Sequence, residues 1–155
     1  MEKGGPVGVA DGSLRQGYRL LRAGILLFFL ALLVGFAVPR FAVPRLGLSA
    51  HLLGIIQGIF LMVTGLLWPK LRLMPVMSRV GSWLAVYGCF AAWTANVLAG
   101  VWGAGNTMLP MAAGQARGSA LQEAIIATGL RSGAVSLVAV AILILWGLRA
   151  PIRET

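Results

Sequence analysis

Four long apolar stretches constrain what this chain can fold into. They cover approximately residues 20–38, 46–67, 80–101 and 120–148, and each is close to the ~20 residues that a helix needs to cross the hydrocarbon layer of a membrane. Of the 155 residues, 59% are hydrophobic and 11% are charged, and the mean hydropathy is +0.88, far above the balance of a soluble domain. The sequence therefore predicts an all-α integral membrane four-helix bundle.

The four spans leave no room for a second domain. We expect a basic N-terminal tail over residues 1–19, a single transmembrane domain over residues 20–148, and a C-terminal tail over residues 149–155. The stretch "ILLFFLALLVGFAVPR" has no small-x-small cleavage pattern before the next span begins. We therefore interpret the first apolar stretch as a retained span and not as a signal peptide.

The distribution of lysine and arginine predicts the orientation of the chain. Basic residues are concentrated before the first span, between the second and third spans, and after the fourth span, namely Lys3, Arg15, Arg19, Arg22, Lys70, Arg72, Arg79, Arg149 and Arg153. The alternate connections contain only Arg40, Arg45 and Arg117. The positive-inside rule then puts both termini in the cytoplasm of a multi-pass protein of the inner (plasma) membrane. It also explains the net charge of +9 without a nucleic-acid partner, for which no RNA-binding signature is present.

The cysteine content excludes several redox functions. Cys89 is the single cysteine and lies inside the third span, so the chain has no Cys-x-x-Cys pair and no Cys-x-x-Cys-His haem attachment motif. A four-helix thiol oxidoreductase of the quinone-linked type is therefore excluded. The chain also has no convincing internal repeat, so an inverted-repeat transporter is not supported.

Four polar residues share one depth in the predicted bundle, in the outer half of the membrane: His51, Gln57, Asn96 and Glu123. Polar residues inside spans are costly and usually face a bundle interior or a cavity, so their common depth points to one site. Each also has a simpler explanation. His51 is close to a helix start and fits an interfacial position, Gln57 and Asn96 fit interhelical hydrogen bonds, and Glu123 fits the first turn of a helix, where the helix dipole favours an acid.

Other candidates for this site lie on the third and fourth spans. Arg131 is well inside the fourth span and needs an anionic partner, for which we consider Glu123, a cofactor carboxylate and a lipid phosphate. Tyr87 is a further hydrogen-bond donor on the third span. Ser132 and Thr128 are weaker candidates of the same kind on the fourth span.

Small residues recur at a spacing of four beside the histidine. Gly54 and Gly58 form a Gly-x-x-x-Gly pair on the second span, and Gly129 and Gly133 repeat the spacing on the fourth. Such pairs usually allow two helices to pack closely. Next to a histidine, the missing side chains would also let a flat macrocycle approach the helix.

His51 is the single histidine of the chain and is the candidate metal ligand. One imidazole cannot build a zinc site, which takes three or four protein ligands. One histidine is sufficient for haem, because the porphyrin supplies four further nitrogens. Composition and spacing therefore permit a haem-type cofactor and leave its presence open.

Three segments carry a resemblance to a known family. The stretch "AHLLGIIQG" resembles the Ala-His-x-x-Gly segment of the small membrane isomerases that include styrene oxide isomerase and hydroxylaminobenzene mutase. The segments "WTANVLAGVWGAG" and "LQEAIIATGLRSGAVSLVAVAILILWGLR" are closer to the mutase branch. The resemblance extends over approximately residues 24–148.

This resemblance implies a homotrimer of four-helix protomers with haem b near the protomer interfaces and His51 as its axial ligand. The epoxide isomerases carry an asparagine six residues after that histidine, where this chain has Gln57, and an aspartate and a tyrosine on the third helix. Here the third helix offers Tyr87 and Asn96, and the acid is Glu123 on the fourth helix. These departures favour the mutase branch.

Our hypothesis from the sequence is a haem-dependent intramolecular mutase of aromatic compound degradation that rearranges an aryl hydroxylamine to an ortho-aminophenol, with ferric iron as Lewis acid. Glu123 would handle the proton or stabilise developing positive charge, while Gln57 and Asn96 would orient the departing oxygen. Tyr87 completes the catalytic candidates. The cofactor-binding candidates are His51, Gly54, Gly58 and Arg131.

Three other functions stay open at this point. The first is a haem-dependent aryl epoxide isomerase that gives an aldehyde. The second is a small four-helix multidrug or ion transporter, although such exporters use a carboxylate in the first helix and "ILLFFLALLVGF" has none. The third is a non-catalytic assembly or anchoring subunit, which the Gly-x-x-x-Gly pairs would suit.

Overall fold

The computed structural model describes the backbone of residues 7–149 and the side chains of residues 12–149, and every regular element in that part of the chain is helical. Short 3₁₀ turns over Val38–Arg40 and Trp68–Lys70 follow the first two helices. The helices are α1 (Val7–Ala37), α2 (Pro44–Leu67), α3 (Pro75–Trp102), α4 (Pro110–Ala113) and α5 (Ala120–Leu148). Four of them, all but α4, are long and apolar enough to cross a membrane. The predicted all-α, four-span architecture is confirmed.

The helix bounds differ from the predicted spans mainly at the start of the chain. Helix α1 begins at Val7, so it includes a large part of the segment that we assigned to the tail. Arginine, leucine and glutamine there favour a helix, whereas hydropathy marks only the part that lies in hydrocarbon. Residues 1–6 of the predicted N-terminal tail and residues 150–155 of the C-terminal tail lie outside the described residues. Helix α5 has the bounds expected for the fourth span.

Local sequence signals set the other helix ends. Proline is the first residue of α2 and of α3, where its missing N–H and fixed φ are tolerated. Helix α3 ends at Gly103, which has a φ of +61° in the left-handed region that glycine adopts without strain. Helix α5 begins with a capping box, in which Ser119 Oγ accepts from the Gln122 N–H and Gln122 Oε1 accepts from the Ser119 N–H.

The long helices pack through glycines. Helix α1 runs along α2, and a Cβ on Gly17 or Gly24 would lie 2.7 Å from the carbonyl oxygen of Gly65 or Gly58, respectively. Helix α5 packs on α3, where a Cβ on Gly133 would lie 2.9 Å from the Gly88 carbonyl oxygen. The missing side chains therefore let the backbones touch, which is how small residues hold membrane helices together.

The bundle has two ends that differ in chemistry. We call one the His51 end: it contains the C-termini of α1 and α3, the N-termini of α2 and α5, and α4. At the opposite end the Trp68 indole donates to Ser78 Oγ at 3.0 Å and to Gln16 Oε1 at 3.2 Å, and the Ser78 hydroxyl also donates to Gln16. These bonds tie α1, the turn after α2, and α3 together, so the helices are fixed relative to one another away from the His51 end.

The α1–α2 contact yields a test of this packing. In Gly65→Ala the new methyl would lie 2.7 Å from the Gly17 carbonyl oxygen and 2.9 Å from the Leu21 nitrogen, and backbone cannot give way cheaply. We expect a loss of about 1–3 kcal/mol in unfolding free energy, measured as a lower Tm of the detergent-solubilised protein.

Gly12→Ala is the matched control, because a Cβ there has nothing within 4 Å and alanine favours the helix. This variant should match or exceed the wild-type Tm. Equal Tm values for Gly65→Ala and Gly12→Ala would contradict the close α1–α2 contact.

Candidate functional site

The His51 imidazole is held between α2 and α1. Its Nδ1 lies 2.8 Å from the backbone carbonyl oxygen of Ala31. Since a carbonyl can only accept, Nδ1 carries the hydrogen, so that Nε2 is the nitrogen with the lone pair when the ring binds a metal. Gly35 makes room for the ring, because a Cβ there would lie 2.7 Å from both Nδ1 and Cε1. Helix α1 therefore sets both the tautomer and the position of this ring.

This arrangement fits an axial ligand of haem iron. A histidine that binds a metal through one nitrogen normally donates its other N–H to a carbonyl or carboxylate, which orients the ring and raises its basicity. Within the described part of the chain no group of three or more His, Cys, Asp or Glu residues could hold a metal ion. A single imidazole with its second nitrogen already bonded suits a cofactor that brings its other metal ligands with it.

Three buried polar side chains of α2 and α3 lie within one helical turn of the contact between Gly54 and Trp93. Gln57, Trp93 and Asn96 are 6%, 9% and 3% exposed, and we call them the polar layer. A Cβ on Gly54 would lie 2.5 Å from Trp93 Nε1 and 2.6 Å from the Ala31 Cβ, so the indole N–H is next to the residue whose carbonyl holds His51.

The polar layer lacks hydrogen bonds that its burial calls for. Among residues 12–149, Gln57 Oε1, Trp93 Nε1 and Asn96 Oδ1 have no partner. A buried polar atom without a partner costs about 1–3 kcal/mol, so three of them in one region mark a functional candidate and not a structural bond. The simpler explanation for Gln57 and Asn96 was a hydrogen bond between helices. Among the described residues, the amide oxygens of both side chains form no such bond.

Glu123 serves the loop between α3 and α5. Its Oε1 accepts from the backbone N–H groups of Gly105, Asn106 and Gly118 at 2.8, 3.2 and 3.2 Å, and its Oε2 accepts from the Thr107 N–H at 3.1 Å. A carboxylate can accept about four hydrogen bonds, and these four N–H groups supply that number. The structure therefore makes Glu123 a residue that positions this loop, and its role in proton transfer stays a prediction.

The loop that Glu123 holds carries α4, which forms one wall of a groove. Met111 and Ala112 of α4 face Leu48, Leu52 and Ile56 of α2 across a mainly apolar groove of about 510 Å³. His51 is not among its lining residues, because the imidazole points to the α1 side of α2.

The structure does not bring Tyr87 to the polar layer. Its side chain is 51% exposed, and its hydroxyl donates to Ser132 Oγ on α5 at 2.9 Å. Tyr87 and Asn96 are nine residues apart on α3, which puts them on opposite faces of a helix with 3.6 residues per turn. Tyr87 and Asn96 therefore do not meet within this chain, and the catalytic role of Tyr87 stays a prediction.

The expected role of Gly54 and Gly58 as an open face for a macrocycle is also corrected. A Cβ on Gly58 would lie 2.9 Å from the Phe28 backbone nitrogen, and Gly54 faces Ala31 and Trp93. Helix α1 thus occupies the space in front of both glycines. Close helix packing, the simpler explanation, accounts for this pair.

Arg131 lies apart from the other candidates. Its side chain is exposed on α5, and it is eight residues, or about 12 Å along the helix, from Glu123. The Glu123 carboxylate is bonded to loop N–H groups, so it is not the counter-charge of Arg131. Within the described part of the chain, Arg131 has no hydrogen bond to His51. Its role in cofactor binding stays a prediction.

Sequence reasoning missed three residues that build the site. Ala31 and Gly35 lie in an apolar run that carries no chemical signal, and Trp93 reads as an ordinary aromatic core residue. The one available signal was spacing: Trp93 is one helical turn from Asn96, and Gly54 is one turn from both His51 and Gln57.

Comparisons with known proteins agree on one family. The family model described as styrene oxide isomerase matches residues 16–149. Hydroxylaminobenzene mutase HabB of Ectopseudomonas oleovorans is 51% identical over 137 residues, which cover 88% of this chain and 84% of that protein. Hydroxylaminobenzene mutase HabA of the same organism is 38% identical over 129 residues, which cover 83% and 96%. No solved structure matches this chain.

The loop contacts of Glu123 lead to a prediction. In Glu123→Gln one carboxylate oxygen becomes an NH₂ group, which cannot accept from the loop N–H groups. We expect the Gly105, Thr107 and Gly118 amides to exchange hydrogen at least about tenfold faster, because hydrogen bonds to a charged group are worth roughly 1.5–3 kcal/mol. Hydrogen–deuterium exchange of the solubilised protein measures this.

Arg117→Gln is the control, because Arg117 is an exposed residue of the same loop and should leave these amides protected. Unchanged exchange in Glu123→Gln would refute the positioning role. If the loop amides stay protected while turnover falls, the carboxylate acts on the proton instead.

Proposed function

We propose, from the premise that the chain belongs to the styrene oxide isomerase family and is an isomerase, that it rearranges an aryl hydroxylamine to an ortho-aminophenol. The names of the two mutases support the reaction type. The observation that carries the mechanism is the His51 ring, whose Nδ1–H is bonded to Ala31 and whose Nε2 lone pair is free for a metal.

Haem b is the cofactor that we propose for this protein. His51 Nε2 would bind its iron, while the Ala31 carbonyl accepts from Nδ1 and orients the ring. When bound, ferric haem supplies a Lewis acid for the polar group of the substrate. Gly35 leaves the space that the imidazole ring occupies beside α1.

The reaction itself needs only a change of bonding within one molecule. The N–O bond breaks with its electron pair on oxygen, a C–O bond forms at the ortho carbon, and the proton of that carbon is transferred to nitrogen. Substrate and product are isomers, so no electron donor is needed. The amides of Gln57 on α2 and Asn96 on α3 are buried, and we propose that they bind and orient the hydroxylamino group.

Burial is what makes these amides effective. Breaking the N–O bond separates charge, and dipoles that are already fixed in a protein stabilise such charge with little rearrangement. The apolar helices around the polar layer also keep bulk water from attacking the electron-poor ring. Glu123 contributes through the loop and α4, which it holds over one end of the bundle.

We also propose the finer features of assembly that the resemblance implies. The protein would be a homotrimer, with both termini in the cytoplasm and the bundle in the inner membrane. The charge distribution supports this orientation. An exposed apolar face on α5, which includes Val135, Val138 and Ile142 beside Arg131, offers a surface for neighbouring copies.

Isomerisation of an aryl epoxide to an aldehyde is the second candidate, because the matching family model bears the name of that activity. Both reactions would use the same His51 ligation. They differ in the polar group of the substrate, which carries hydrogen-bond donors in a hydroxylamine and none in an epoxide.

The test of the proposed function is His51→Ala. The wild-type protein should show a Soret band and convert phenylhydroxylamine to 2-aminophenol, whereas His51→Ala should lose the band and reduce turnover to background, since it removes the axial ligand. Absorption spectra and product chromatography measure both properties on the same preparation.

Val63→Ala is the matched control, because Val63 is exposed on the same helix and should keep both the band and the activity. A colourless His51→Ala protein with wild-type turnover would end the proposal of haem. Conversion of styrene oxide with no conversion of phenylhydroxylamine would assign the second candidate function.

A further inference from the structure

We propose, building on the proposed function, that the Trp93 indole N–H binds the hydroxylamine oxygen, and that Trp93, Gln57 and Asn96 together select an –NHOH group over an epoxide. The residue type, its burial and its neighbours support this role. The three residues belong to α2 and α3, and Trp93 lies next to the segment of α1 that holds His51.

The indole of Trp93 is a donor in a fixed position. Its Nε1–H can only donate, the residue is 9% exposed, and the nitrogen has no partner in the described part of the chain. The ring is wedged where Gly54 has no side chain, since a Cβ there would lie 2.5 Å from Nε1 and 2.7 Å from Cδ1. Gly54 therefore contributes to the site by making room for this N–H.

The two amides lie on either side of the Gly54–Trp93 contact along the bundle axis. Helices α2 and α3 are antiparallel, and Gly54 and Trp93 are in contact, so Gln57 is one turn deeper and Asn96 is one turn nearer the His51 end. Side chains on a helix lean toward its N-terminus. The α2 N-terminus is at the His51 end and that of α3 is at the other end, so Gln57 and Asn96 lean toward each other.

The unpaired atoms match the hydrogen-bonding groups of a hydroxylamine. The polar layer offers one donor, Trp93 Nε1, and two acceptors, Gln57 Oε1 and Asn96 Oδ1. An –NHOH group has an oxygen that accepts and an N–H and an O–H that donate. All three protein atoms are then satisfied by one small group.

An epoxide cannot satisfy the same three residues. Its oxygen has two lone pairs and no hydrogen, so it can only accept, and at most from two donors. Whether the amides present their oxygen or their NH₂ group, at least one of the three side chains stays unpaired. A site built to hydrogen-bond its substrate discriminates strongly against an analogue that lacks the matching groups. The polar layer therefore sets the substrate class of this chain.

Trp93 would also act during the rearrangement. When the N–O bond breaks, negative charge develops on the oxygen, and the indole N–H stabilises that charge. The same bond keeps the oxygen next to the ring until the new C–O bond forms at the ortho carbon. No atom or electron enters or leaves the substrate through Trp93.

Trp93→Phe tests the proposal, because it keeps an aromatic ring and removes the N–H. The probe is benzyl alcohol, which has the shape of phenylhydroxylamine but no N–O bond to rearrange, and ethylbenzene is its counterpart without oxygen. We expect Trp93→Phe to weaken benzyl alcohol binding about tenfold, the effect of one hydrogen bond, and to leave ethylbenzene binding unchanged. Calorimetry on the full-length solubilised protein measures both affinities.

An equal loss for the two ligands, or no loss for either, would overturn the proposal, because Trp93 would then only pack. If Trp93→Phe does not fold, the indole N–H band of the wild-type protein in ultraviolet resonance Raman spectra should shift on adding benzyl alcohol and stay fixed on adding ethylbenzene. A fixed band in both cases overturns the proposal as well.

Removal of the acceptors tests the selection of substrate class. Gln57→Leu removes one of the two acceptors, and Gln57→Leu/Asn96→Leu removes both, so that only the double variant leaves the single O–H of benzyl alcohol without a partner. The double variant should therefore weaken benzyl alcohol binding about tenfold relative to styrene oxide binding, and an unchanged ratio of the two affinities would refute the selection. These binding results do not depend on turnover. A wild-type protein that binds benzyl alcohol through Trp93 but forms no 2-aminophenol would therefore refute the proposed function and leave this inference standing.

Discussion

The contact between α1 and α2 is the constraint on which the site depends. In a bilayer, helices gain little from burying apolar surface against each other, because lipid is equally apolar, so close backbone packing has to hold them together. Gly17, Gly24, Gly58 and Gly65 bring the two backbones into contact. Only at that distance does the His51 ring reach the Ala31 carbonyl. The geometry of the ligand is thus a consequence of helix packing.

Much of the fold was predictable because membrane hydropathy and proline placement are local signals. The four spans and the extent of α5 follow from residues within one or two turns, whereas α2 and α3 begin at prolines that precede the predicted spans by two and five residues. The start of α1 was not predictable in this way. Hydropathy reports the thickness of hydrocarbon, whereas Arg15 and Arg19 continue a helix into the polar interface without any change in backbone preference.

The position of each candidate along its helix was predictable, but its direction around the helix was not. Counting residues gives the distance of His51, Gln57 and Asn96 from the helix ends, since the rise per residue is fixed. The direction of a side chain around the helix could not be obtained, because a membrane helix is apolar on every face and has no amphipathic pattern to orient it. For this reason Tyr87 was grouped with Asn96 although it faces the opposite side. The loop that Glu123 binds is a tertiary contact that no local pattern encodes.

The way these helices pack also explains how buried polar groups can stay available to a ligand. Amides in a membrane normally bond to a neighbouring helix, and then they serve assembly. Here glycine contacts hold α1 to α2 and α5 to α3, and the bonds of Trp68 fix the far end. The helices therefore do not need Gln57, Trp93 and Asn96 for their association. A scaffold assembled through backbone contacts can keep such groups in fixed positions, and their unmet hydrogen bonds then become available to a bound molecule.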